Sequence, residues 1–124
     1  MKLMIVDDHD GARKMIREML SFPGVTLCEC ASGEEAVEVA RVFQPDWITM
    51  DVRMPGLNGF QAATLIQEQH PATRIVIVTT ENHPHMRQMA RVVGAVGYFR
   101  KENLIELRDL LADVIAKKKG SGLL

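Results

Sequence analysis

An excess of charge of either sign is missing from this 124-residue sequence: 15 basic side chains face 16 acidic ones, a formal net charge of -1. Nucleic acid and anionic membranes are bound through surplus Lys and Arg, so neither is expected as a direct partner. Long apolar runs are missing too. Met1-Lys2-Leu3-Met4-Ile5-Val6 meets Asp7-Asp8 before a signal peptide's hydrophobic part could form, and no later run could span a bilayer. The expected location is cytoplasmic. Cysteine is nearly absent: Cys28 and Cys30 lie two apart in a strand-like run, and no further Cys or nearby His completes a metal site. Two reduced, partly buried thiols are expected. There are no repeats, linkers or low-complexity segments, and the 47% hydrophobic and 25% charged content is ordinary for a folded domain, which excludes disordered and fibrous classes. A chain of this length forms one domain with one core, burying about two thirds of its unfolded surface.

The centre of the chain is Asp46-Trp47-Ile48-Thr49-Met50-Asp51-Val52-Arg53-Met54-Pro55-Gly56-Leu57-Asn58-Gly59, where a short apolar run ends in a carboxylate and then a turn. Proline has no amide hydrogen and glycine tolerates unusual backbone angles, so Met54-Pro55-Gly56 stops the strand and leaves Asp51 at its carboxyl end. In an open parallel sheet that is where ligands bind. Taken alone, Asp51 could equally cap the next helix.

Other runs repeat the pattern. Leu3 to Val6 is compact and apolar and ends on Asp7 and Asp8; Ile75 to Val78, rich in β-branched residues, ends on Thr79-Thr80-Glu81; Val96 to Phe99 ends on Arg100-Lys101. Val25 to Cys30 is less apolar, which predicts an edge strand. Between the strands, apolar residues fall at helical spacing: Ala12, Met15, Ile16, Met19 and Leu20; Ala36, Val37, Ala40 and Phe43 after Ser32-Gly33-Glu34-Glu35; Phe60, Ala63 and Ile66; Met86, Met89, Ala90 and Val93. A last helix carries Leu104, Leu107, Leu111, Val114 and Ile115, with Lys117, Lys118 and Lys119 at its negative end, and residues 120–124 read as a frayed tail after a domain spanning 1–119. Five strands alternating with five helices predict an α/β fold, a parallel sheet in the flavodoxin-like order 2-1-3-4-5 with helices on both faces.

That order gathers Asp7, Asp8, Asp51, Thr79 and Lys101 at one edge. At about 4 Å and an effective dielectric near 20, each pair of carboxylates repels by roughly 4 kcal/mol, so the cluster must protonate in part or recruit a cation. An all-oxygen acidic site favours a hard ion such as Mg2+ over zinc. An acidic metal site facing an Asp, with an ammonium and a hydroxyl beside it, fits phosphoryl transfer onto a carboxylate: Lys and Thr take phosphoryl oxygens while Asp51 attacks in line.

With Asp7-Asp8, Asp51 followed by Met54-Pro55-Gly56 and Asn58-Gly59, Thr79, and Gly97-Tyr98-Phe99-Arg100-Lys101 in order at strand ends, the sequence resembles the CheY-like receiver domains of two-component response regulators over essentially its whole length. The resemblance implies Asp51 as phosphoacceptor, Asp8 as a direct Mg2+ ligand, Asp7 as a ligand through water, and the backbone carbonyl of Arg53 as a further ligand. It implies that Thr79 binds the phosphoryl group, that Lys101 pairs with it, and that Tyr98 is a switch aromatic remodelling the surface of the fourth helix, fifth strand and fifth helix. The implied protein is a phosphoacceptor switch rather than an enzyme acting on others. It would catalyse its own phosphorylation and dephosphorylation, with a sensor histidine kinase, phosphotransfer protein or small phosphodonor upstream and a protein partner downstream. A phosphorylation-dependent homodimer would use the face containing Tyr98.

Two features depart from the common receiver pattern. Glu102 rather than proline follows Lys101, as in receivers of the nitrate-response and quorum-sensing branch, leaving the geometry of that peptide open. Arg53 and Glu81, each two residues beyond a site residue, are placed to pair across its mouth and impede water, or to be two solvated charges. His9, beside Asp8, could touch the metal but is expected to start the first helix and face solvent; His83-Pro84-His85 has too few partners for a transition-metal site and is expected to open the fourth. A flavin carrier shares the fold, but Asp7-Asp8-His9-Asp10 would repel its phosphate. An aspartyl phosphatase usually has an acid two residues after its nucleophile, where Arg53 stands. The alternative, a degenerate receiver serving only as a docking module, is disfavoured by the complete set of site residues. No DNA-binding region follows the fifth helix, so both a stand-alone receiver and a piece of a longer regulator stay open.

Overall fold

The computed structural model describes the backbone of residues 1–122 and the side-chain surroundings of residues 1–118. The elements are β1 (Lys2–Val6), α1 (Asp10–Met19), β2 (Thr26–Cys30), α2 (Gly33–Phe43), β3 (Trp47–Met50), α3 (Gly59–Gln69), β4 (Arg74–Thr79), α4 (Pro84–Val92), β5 (Gly97–Arg100) and α5 (Leu104–Gly122). All strand pairs are parallel and the order is β2-β1-β3-β4-β5, the order expected from the alternation of elements.

The period of two along each strand sorts the core into two layers. Met4, Val6, Ile48, Met50, Ile75 and Ile77 face α2, α3 and α4. Leu3, Ile5, Trp47, Val76 and Val78 face α1 and α5, against Ile16, Leu20, Leu104, Leu107 and Leu111. Because both faces are covered, β1, β3 and β4 are apolar at nearly every position. Each fully buried Leu or Ile contributes about 2 kcal/mol relative to an exposed one. The edges are wetter: β2 is largely half-buried and β5 wholly so. Cys28 and Cys30 are both free thiols, the second fully inside the layer under α2, where burial and then its neighbour Cys28 push its thiol pKa up.

Some boundaries differ from the expectation. β5 begins at Gly97, because Gly94 takes a positive φ of 85° and Val96 is still turning in, its amide donating to the Ile75 carbonyl at 2.8 Å. Met15, placed on the apolar face of α1 by its spacing, is 46% exposed, since that face is centred on Ile16 and Leu20. The first three residues of the expected tail continue α5, and Leu123 and Leu124 lie outside the described residues, as do the surroundings of the Lys119 side chain.

Candidate functional site

Asp7 and Asp51 sit one residue past the ends of β1 and β3, and the sheet's hydrogen bonding still holds both. The Asp7 amide donates to the Cys30 carbonyl at 3.1 Å and the Asp51 amide to the Val6 carbonyl at 3.0 Å. Neighbouring parallel strands therefore deliver the two carboxylates to one rim. Asp7 is fully buried and Asp51 nearly so. Lys101, the first residue of a 3-10 turn that follows β5, reaches back between them, with its Nζ 2.7 Å from Asp7 Oδ2 and 3.3 Å from Asp51 Oδ2. The contact with Asp7 is an ion pair rather than an aligned hydrogen bond. Among the described residues there are no cis peptides, so the bond joining Lys101 to Glu102 is trans.

These contacts set the electrostatics. Burial raises the Asp51 pKa above the ordinary carboxylate value, and the neighbouring Asp7 charge raises it further, against the pull of Lys101 and the Val52 amide. For Lys101 burial pulls the ammonium down, but the close contact with Asp7 and the charges of Asp51 and Asp7 outweigh it, leaving the group above its usual range.

Thr79 ends β4, buried, and its Oγ1 accepts a hydrogen bond from the Glu81 amide at 3.3 Å. Glu81 makes two further contacts. Its carboxylate receives Arg53 Nε at 2.5 Å, and its carbonyl receives the Tyr98 hydroxyl at 2.5 Å. Tyr98 is half-buried, its ring under the Arg87 guanidinium at 4.7 Å, with its own pKa raised chiefly by burial. Glu81 thus links the hydroxyl at the rim, the Arg53 side chain at the mouth, and the aromatic ring on β5.

The loop from β3 to α3 is held by its sequence. Gly56 takes a positive φ of 77°, ending the Met54-Pro55-Gly56 turn. Asn58 caps α3 in a reciprocal box: its side chain accepts from the Gln61 amide and its amide donates to Gln61 Oε1, both at 2.9 Å. Gly59 is needed for close approach, because a Cβ there would strike the Asp51 carbonyl oxygen. None of the loop amides among the described residues donates to the Arg53 carbonyl oxygen.

One positioning residue escaped the sequence reading. Arg13, on α1, donates from Nη1 to the Asp7 carbonyl at 2.7 Å, from Nη2 to Asp10 at 2.6 Å and from Nε to Glu29 at 3.1 Å. It pins the β1–α1 loop to β2. Glu29, a charge within a strand, was the signal that something cationic faces it. His83 and Pro84 open α4 as expected, with His83 Nδ1 accepting from the His85 amide.

The site fits a divalent cation by its own chemistry. Three carboxylates, Asp7, Asp8 and Asp51, face one ammonium, Lys101, which leaves two negative charges uncompensated. Asp8 Oδ1 is shielded from solvent and receives no hydrogen bond. One donor atom from each of Asp7, Asp8, His9 and Asp51 lies within 4.8 Å of all the others. Oxygen donors at this spacing suit Mg2+. Beside them, Val52, Arg53, Met54, Pro55, Asn58 and Met86 line a cleft of ≈ 560 Å³ that flanks the carboxylates rather than containing them.

Residues 3–114 match the family model described as "Response regulator receiver domain". The chain is 33% identical over 111 residues to the nitrate/nitrite response regulator protein NarL of Escherichia coli strain K12, covering 88% of this chain and 50% of that protein. It is 38% identical over 103 residues to the response regulator GacA of Pseudomonas syringae pv. syringae, covering 81% and 48%. The chain therefore spans about half the length of these relatives. Among solved structures, a LuxR-family two-component response regulator from Aurantimonas sp. SI85-9A1 superposes with a TM-score of 0.85 at 31% identity, over 94% of this chain and 85% of that one.

Proposed function

This chain belongs to the response regulator receiver domain family of two-component signalling, and on that premise we propose that it is a phosphorylation-operated switch in which Asp51 is the phosphoacceptor. The observation that supports this most directly is Lys101 bridging Asp7 and Asp51 beside the unsatisfied oxygen of Asp8. Asp8, Asp51 and the Arg53 carbonyl are the proposed Mg2+ ligands, with Asp7 acting through water. Bound Mg2+ would supply charge neutralisation for the phosphoryl oxygens.

The chain's own residues do the rest. The Asp51 carboxylate attacks phosphorus as the bond to the donor's leaving atom breaks, giving an acyl phosphate on Asp51. Lys101, already within 3.3 Å of that carboxylate, moves its charge onto a phosphoryl oxygen. The Thr79 hydroxyl donates to another, and its hold on the Glu81 amide changes as it does so. Glu81 also holds Tyr98, so the rearrangement reaches β5 and the α4 and α5 surfaces on either side of it. The acyl phosphate favours the active arrangement only through the extra contacts it makes there, a shift of population. A sensor histidine kinase, a phosphotransfer protein or a small phosphodonor supplies the group, and a downstream protein or a second copy of the chain reads the α4-β5-α5 face. The flanking cleft gives a small donor's leaving group room to depart.

Incubation with acetyl phosphate, followed by intact mass, tests the proposal. One added phosphoryl group is expected, dependent on Mg2+, lost at alkaline pH and mapped to Asp51 by borohydride reduction. A docking module without chemistry would gain no mass under any of these conditions.

The Arg53–Glu81 pair is proposed to slow loss of the phosphoryl group by narrowing the path of water to Asp51. Arg53→Ala and Glu81→Ala should each speed dephosphorylation severalfold, read as decay of the phosphorylated mass. Because Arg53 is 69% exposed, stability should change by under about 1 kcal/mol. Unchanged decay in both variants would leave the pair with no such role.

A further inference from the structure

His9 is the residue preceding α1, with extended backbone (φ -94°, ψ 116°), and its side chain makes no capping hydrogen bond. Its imidazole is 70% exposed, which matches the expectation that it faces solvent, yet its Nδ1 lies 3.1 Å from Asp8 Oδ1 and 3.5 Å from Asp7 Oδ1. Asp8 Oδ1 receives no hydrogen bond, so the short approach is not a satisfied imidazole-to-carboxylate bond. One donor atom of His9 shares, with one from each of Asp7, Asp8 and Asp51, a volume in which all lie within 4.8 Å of one another. Around a six-coordinate ion with bonds of about 2.1 Å, adjacent donors are about 3.0 Å apart and opposite ones about 4.2 Å. The Nδ1 separations from Asp8 Oδ1 and Asp7 Oδ1, 3.1 Å and 3.5 Å, fall in that range.

We infer that His9 is a nitrogen ligand of this cation site and shifts its preference from magnesium toward first-row transition ions such as Mn2+. Carboxylate and water ligands suit Mg2+, whereas imidazole adds affinity for transition ions and little for magnesium, which retains water in preference. The inference rests on the proposed phosphoacceptor site being a cation site, and it names a donor that the acidic residues alone do not provide. The imidazole is mostly exposed and belongs to neither core layer, so its removal should leave the fold intact.

The test uses the untagged full chain, with Mn2+ followed by electron paramagnetic resonance and Mg2+ followed by competition. His9→Ala should weaken Mn2+ binding about tenfold or more, the scale on which even outer partners of a metal site act. Mg2+ affinity should stay within about twofold, since water replaces the imidazole. Pulsed measurements on the wild-type Mn2+ complex should show coupling to a directly bound nitrogen, and His9→Ala should lose it. Equal Mn2+ affinity in both proteins, or no nitrogen coupling in the wild type, overturns the inference while leaving the phosphoacceptor reading intact. If Asp8→Asn leaves both ions bound as before, the ion sits elsewhere and the shared cation site fails with it.

Discussion

Asp51→Asn will take up no phosphoryl group from acetyl phosphate and, without divalent cation, will melt at a higher temperature than the unsubstituted chain. The first effect follows from removing the nucleophile, since an amide oxygen does not form the acyl phosphate. The second follows from burial. Asp51 is 4% exposed, beside a second buried carboxylate, and its pKa is raised in the fold first by burial and then by Asp7. A carboxyl that binds its proton more tightly when folded penalises the fold once it ionises. The penalty is absent below the unfolded-chain value near 3.9, grows as pH rises toward the raised folded value, and is constant beyond it. Asn retains an oxygen for the Val52 amide without the charge, and Lys101 keeps Asp7 at 2.7 Å. An improvement of about 1 kcal/mol corresponds to roughly 3–6 °C for a domain of this size. The difference should vanish below about pH 4. Saturating Mg2+ should reverse the order, because the unsubstituted chain gains about 2.7 kcal/mol at a hundredfold excess over Kd while the variant has lost a ligand. Thermal scans with and without Mg2+, at neutral and acid pH, check all three statements. A variant that melts lower at neutral pH without cation would show that the Asp51 charge is compensated in the fold.

What the sequence revealed was whatever is decided along one strand or helix. Leu3 to Val6 is apolar throughout, and Trp47 to Met50 is apolar except at Thr49, because both sheet faces are covered, and each run stops at a carboxylate where the sheet ends; both facts are written in consecutive residues. The alternation of elements then fixed the strand order, and with it the meeting of Asp7, Asp51 and Lys101. What escaped depends on contacts between elements. Arg13 reads as one more cation on a helix surface until β2 is packed beside α1 and Glu29 faces it. The 3-10 turn from Lys101 to Asn103, which aims Lys101 back at the acids, has no proline or glycine to announce it. Glu81 could be paired with Arg53 from position alone, but its main-chain links to Thr79 and Tyr98 leave no trace in residue type. Main-chain groups are the same at every position, so only the folded backbone shows where they go.

Lys101→Met separates the two tasks assigned to the ammonium, because it should raise affinity for Mg2+ while nearly abolishing phosphorylation. In the fold Lys101 is 11% exposed and is the only cation within ion-pair distance of both Asp7 and Asp51 among the described residues. Its pKa is raised despite burial, so its stabilising contribution is fully present below the usual lysine value near 10.4 and is lost as pH climbs through the higher folded value. Removing it leaves buried carboxylates unpaired, which should destabilise the cation-free protein by about 3 kcal/mol at neutral pH. The loss should shrink in acid as those carboxylates protonate. A divalent cation then has no neighbouring positive charge to oppose it, so binding should tighten about tenfold or more, and added Mg2+ should restore most of the lost stability. Phosphoryl uptake should nonetheless fall about a hundredfold or more, since a preorganised charge on the transferring oxygens is gone. Calorimetric titration with Mg2+ and the acetyl phosphate mass assay read the two effects separately. Tighter Mg2+ with retained phosphorylation would confine Lys101 to charge balance in the resting site. Weaker Mg2+ would mean that its main task is to hold Asp7 and Asp51 in place for the ion, and that geometry outweighs repulsion at this rim.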